Sequence, residues 1–133
     1  MAIPYTDNFA ALNAVTATVA AADALPFDAS KRQLKSIQFV ASAVSSGNGV
    51  FTVEVTNSQT AAGVPNNWVV YNRLIPNLVG TNAQTDAHVA GPTLSSNTSQ
   101  MFFFPTSDYF RYIRVSVART TDGTYSAILQ QGG

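Results

Sequence analysis

One histidine, His88, one glutamate, Glu54, and six aspartates (Asp7, Asp23, Asp28, Asp86, Asp108 and Asp122) are the side chains of this sequence suited to general acid or base work. There is no cysteine, which excludes thiol catalysis, a disulfide framework and cysteine metal sites. A single histidine rules out a multi-histidine metal centre and leaves His88 as the sole base for a Ser-His-Asp triad. His88 stands in Asp86-Ala87-His88-Val89, inside a stretch without periodicity, and no serine lies in a nucleophile-elbow pattern. It therefore reads as a solvated loop residue. Glycoside hydrolysis needs two carboxylates facing each other across a sugar. Glu54 alternates with Val53 and Val55 and reads as an outward charge on a strand, while the aspartates fall at turns, where a short acid bonds its own backbone. Neither a Gly-x-Gly-x-x-Gly run nor a P-loop is present. The expectation is a chain with no catalytic residue, no cofactor and no metal site.

Charge narrows the classes further. Only 11% of the residues are charged, against about 25% in an average domain. Seven basic and seven acidic side chains cancel, so the surface must be built largely of Ser, Thr, Asn, Gln and Ala. Such a surface does little to repel copies of itself. Nucleic acid is not an expected partner, because neutralising phosphates requires a basic excess. Lys31, Arg32 and Lys35 form a small basic cluster that reads as a solvated turn. No stretch approaches the roughly 18 to 20 apolar residues of a membrane helix, and no secretory signal opens the sequence. The expectation is a soluble protein made in the cytoplasm, with no membrane partner.

The elements that must position these residues have an apolar period of two almost throughout, which predicts strands. Val15, Ala17 and Val19 alternate with threonines between Ala14 and Ala20, and Ala20 to Ala24 offers a short helical turn. Ile37, Phe39, Ala41 and Ala43 form a second run, and Phe51, Val53 and Val55 a third after Ser45-Ser46-Gly47-Asn48-Gly49, which predicts a hairpin. Trp68 to Ile75 reads as a strand stopped by Pro76, and Met101 to Phe104 as a brief one stopped by Pro105. Between Asn77 and Gln100 at most one short strand is expected. Ile113, Val115 and Val117 then share one face of Tyr109 to Ala118, with Tyr112 and Arg114 on the other. Asp122-Gly123 predicts a second hairpin into Tyr125, Ala127 and Leu129. Seven to eight strands with turns about every ten residues imply an all-β, antiparallel sandwich of jelly-roll type over residues 13–133, preceded by an N-terminal arm over residues 1–12.

Phe51-Thr52-Val53-Glu54-Val55, the aromatic strand from Trp68, and Phe110-Arg111-Tyr112-Ile113-Arg114-Val115-Ser116-Val117 before Thr121-Asp122-Gly123-Thr124 together resemble the small β-sandwich virion proteins of tailed phages, among them capsid decoration (cement) proteins. The resemblance covers roughly residues 35 to 131. It implies a structural role without chemistry: a homo-oligomer, commonly a trimer, on the capsid surface of the virion, bound to the major capsid protein where its subunits meet. Related patterns occur in carbohydrate-binding jelly rolls, so the alternative is a tail or fibre module that stacks sugar rings on Trp68, Tyr71 or Tyr109. Contact residues come from the sequence itself. Phe102, Phe103 and Phe104 cannot all face one side of a strand, which nominates Phe103 for an interface. Tyr112 and Arg114 share an outward face, and planar Arg and Tyr are enriched where proteins meet. Tyr5 and Phe9 are the apolar anchors of the expected arm.

Overall fold

The structure, a computed structural model, describes residues 6–31, 33–76 and 88–132. Its strands are β1 (Thr6–Val15), β2 (Phe27–Asp28), β3 (Leu34–Ser42), β4 (Asn48–Thr56), β5 (Val69–Val70), β6 (Ile75–Pro76), β7 (Thr93–Leu94), β8 (Thr98–Phe103), β9 (Tyr112–Thr120) and β10 (Thr124–Gly132). A 3-10 turn, Ala21–Asp23, falls where the alanine run offered one. The strands form two antiparallel sheets, in the orders β1-β10-β3-β8-β6 and β2-β9-β4-β5, with β7 also on β4. The all-β antiparallel sandwich is as the apolar period predicts. Ten strands among the described residues stand in place of seven to eight, because the Trp68 to Ile75 run breaks into two-residue pieces and β2 and β7 are too short to show a period.

Both expected hairpins are corners between sheets. β3 pairs with β10 and β4 with β9, so Ala43 to Gly47 carries the chain from the first sheet to the second, and Thr121 to Gly123 carries it back. Turn chemistry marks where a chain reverses but not which sheet it enters. Ser95 to Asn97 makes a third corner at the same end, between β7 and β8. Ala43 (φ 54°), Thr121 (φ 70°) and Gly123 (φ 106°) take the left-handed conformation there. The corners are tied together by short polar side chains. Asp122 accepts the backbone N–H groups of Ser45 (3.1 Å), Ser46 (3.1 Å) and Gly47 (3.0 Å), and Asn97 Oδ1 accepts that of Val44 (2.8 Å). Those backbone donors, Ser45 foremost, hold the Asp122 carboxyl below its ordinary proton affinity.

The expected arm is corrected. From Thr6 onward it is an edge strand of the first sheet, with Phe9 opposite Leu129 and Leu12 opposite Ala127 on β10. Ala11 and Leu12 are buried, and register shifts after Ala10 and Leu12 blur the alternation that would have revealed a strand. Tyr5 lies outside the described residues.

The core fills the space between the sheets. Phe39 and Phe51 meet at 4.8 Å across it, Phe51 and Tyr125 at 6.0 Å, and Val53, Ile113 and Val115 are fully buried. The inward sets read from alternation, Val53 and Val55 on β4 and Ile113, Val115 and Val117 on β9, all lie inside. Val115→Ala should lower the unfolding free energy by about 1 to 3 kcal/mol through lost contacts and a residual cavity. Urea denaturation would measure it; no change would mean that the site refills from its neighbours.

Candidate functional site

The two outer faces differ in what covers them. On the second sheet, the 57–68 loop folds back over the strands. Thr56 Oγ1 donates to the Asn66 carbonyl at 2.6 Å, Tyr112 Oη donates to Gln59 Oε1 at 3.0 Å, and Trp68 stacks on the Arg114 guanidinium at 4.4 Å. Arg114 also donates to Glu54, directly across the strand pair, at 3.1 Å from Nε and 3.4 Å from Nη2. The expected contact pair, Tyr112 and Arg114, is therefore half-buried and engaged by its own chain. Glu54 points outward as the alternation required, with its charge matched locally.

The first sheet carries no such cover among the described residues. Cross-strand register places Asn8, Gln130, Ser36, Phe103 and Ile75 in one outward row, and Ala10, Ile128, Gln38 and Met101 in the next. No described side chain in these rows is charged. Phe103 is 38% exposed and Ile128 37%, and Leu34 near the end of the sheet is 55% exposed. Phe102 and Phe104 point inward and Phe103 outward, as the period of two demanded. Phe9, by contrast, stacks on Phe27 at 5.1 Å and closes the side of the sandwich where β1 and β2 lie. It serves the monomer's own core.

Opposite the corners, the loop joining β8 to β9 closes the other end. Tyr71, Phe104 and Phe110 form an aromatic cluster with ring separations of 5.3 to 5.7 Å. Asp108 accepts Tyr71 Oη at 2.7 Å and Arg73 Nε at 2.9 Å. Burial raises the proton affinity of Asp108, but these donors outweigh it, and the carboxyl stays below its ordinary range. Asn57 Oδ1 accepts the Arg111 N–H at 2.8 Å, and the Arg111 carbonyl accepts that of Ala29 at 2.7 Å. The loop so held presents Tyr109, 75% exposed. A cleft of about 430 Å³ lies on one side, lined by Lys31, Lys35, Tyr109, Phe110 and Arg111 among others, and one of about 480 Å³ on the other, lined by Asn67, Tyr71, Arg73 and Asp108 among others. Of the three aromatic residues considered for sugar stacking, Tyr71 is buried, Trp68 lies against Arg114, and Tyr109 stands free.

Sequence reasoning passed over Lys35 as part of a solvated turn, yet it is only 7% exposed. Its position two residues before Ile37 gives it the same parity as Ile37, Phe39 and Ala41, so β3 turns it inward. Burial pushes its ammonium below its ordinary pKa. His88 is exposed, and no cluster of three or more potential metal-ligating side chains occurs among the described residues. The chain matches no protein-family model, no curated protein and no solved structure.

Proposed function

We propose that this chain is a virion structural protein of a tailed phage, a capsid decoration protein that forms a homotrimer and binds where major capsid subunits meet. The observation that carries the reading is the outer face of the first sheet, uncharged and uncovered among the described residues. Five strands about 4.8 Å apart, of 10, 9, 9, 6 and 2 residues rising about 3.3 Å each, make a face of roughly 570 Å². That is somewhat below the roughly 800 Å² each partner contributes to a standard protein interface. An uncharged face bearing Phe103, Ile128 and Met101 sheds water without leaving a charge unpaired, which suits permanent contact with a protein surface.

The test is assembly, followed by attachment. Light scattering of the purified chain should give a trimer, and the chain should pellet with empty shells of its major capsid protein. Exchanging Phe103 for Asp together with Ile128 for Lys puts two charges on the face without touching the core, so the melting temperature should hold while trimer and shell binding are lost. A variant still trimeric and still bound to shells would remove this face from the proposal. The exposed Tyr109 favours a second reading, a tail or fibre module that stacks a sugar ring. Hundreds of copies per particle support the shell role, and a handful support the tail.

A further inference from the structure

We propose that the cleft lined by Ser30, Lys31 and Gln33 on one side and Tyr109, Phe110 and Arg111 on the other is a binding site for a small acidic ligand, whose oxyanion group, a carboxylate, sulfate or phosphate, sits against Lys35 with Lys31 and Arg111 at the rim. The site does not rest on the assembly role, although Lys35 also borders the hollow lined by Ser36, Phe103 and Gln130 at the end of the first sheet. Among the described residues the cleft, about 430 Å³, is lined by Lys31, Lys35 and Arg111 and by Ser30, Gln33 and Asn57, with no acidic residue. Its aromatic wall is Tyr109 and Phe110.

Lys35 is the feature that needs an explanation. A lysine ammonium has three donors, and burying it without an anion is unfavourable. Here Nζ makes one long contact, 3.5 Å to the Gln33 carbonyl, and lies 5.4 Å from the centre of the Phe110 ring. Neither ion pair among the described residues involves it. Burial is what lowers its proton affinity. Asp28 answers the rim and not Lys35: its Oδ1 accepts the Ser30 hydroxyl at 2.6 Å and the Ser30 N–H at 3.0 Å, and the charges that act on it are those of Lys31 and Arg111. A core position would be better filled by methionine or leucine unless the charge has a use. An anion entering the cleft supplies the missing partner, and the Tyr109 ring gives the rest of the ligand a surface to lie on.

Binding is tested by nuclear magnetic resonance on the full chain at constant ionic strength, with sodium sulfate, sodium benzoate and uncharged benzyl alcohol as probes. Sulfate and benzoate should give saturable shifts centred on Ser30, Lys31, Gln33, Asn57 and Arg111, with benzoate also moving Tyr109 and benzyl alcohol binding more weakly. Saturation by benzoate alone identifies a carboxylate site, and saturation by sulfate a tetrahedral one. Lys35→Met keeps the apolar stem and should weaken binding of the anions by about tenfold or more while leaving benzyl alcohol unchanged. If that variant does not fold, Arg111→Gln and Lys31→Gln, both at exposed positions, should each weaken anion binding severalfold. Shifts spread over every surface cation, or anion affinity untouched by these substitutions, would mean an adventitious ion only and would overturn the site.

Discussion

Gly47→Ala should lower the unfolding free energy by about 3 kcal/mol or more, the upper end of what overpacking costs. A Cβ at Gly47 would overlap the Thr120 carbonyl oxygen and stand 2.6 Å from the Asp122 nitrogen and 2.8 Å from its carboxylate. The first two are backbone atoms of the facing corner and cannot swing aside. Moving the corners apart would also stretch the three N–H bonds that Asp122 accepts from Ser45, Ser46 and Gly47, so packing and polar satisfaction fail together. Gly63→Ala is the control. Its φ of +82° strains an alanine, but nothing lies within 4 Å of the added atom, so only about 1 kcal/mol of backbone strain is expected. Urea denaturation of the two variants separates the effects. Equal losses would mean that the corners are not locked against each other.

That lock also shows where the sequence was legible and where it was not. Alternation located the inward faces of β3, β4, β9 and β10 because long strands in a sandwich expose one face to the core and the other outward. It also placed Phe103 outside and, had the parity of β3 been carried two residues back, would have placed Lys35 inside. What alternation cannot carry is pairing. Ser45 to Gly49 and Thr121 to Thr124 have the residues of tight hairpins, and the difference between a hairpin and a corner lies in hydrogen bonds formed with residues some 75 positions away. The contact assignment of Tyr112 and Arg114 met the same limit. Their outward direction was readable, but the 57–68 loop that folds over them has no period to announce where it goes.

Removing residues 1–12 should abolish cooperative folding, which inverts the behaviour of an arm. An arm can be deleted with little change in stability, because it buries its anchors elsewhere. Here Leu12 is 3% exposed and Ala11 7%, and Phe9 stacks on Phe27 across the open side of the sandwich. Loss of a buried leucine side chain alone costs about 2 to 5 kcal/mol, and a domain of this size has about 5 to 15 kcal/mol in total. The truncation also frees the edge of β10, from Gly132 to Ala127, to pair with another chain. Circular dichroism should show loss of the melting transition, and size exclusion should show large aggregates in place of a defined oligomer. A truncated chain that melts cooperatively within a few degrees of the full one would return this segment to the role of an attachment arm. The distinction matters for the shell. If β1 is part of the fold, attachment must come from a face of the finished sandwich, and substitutions at Phe103 and Ile128 can abolish it without unfolding the protein. If β1 is an arm, those substitutions leave attachment intact and only the truncation removes it.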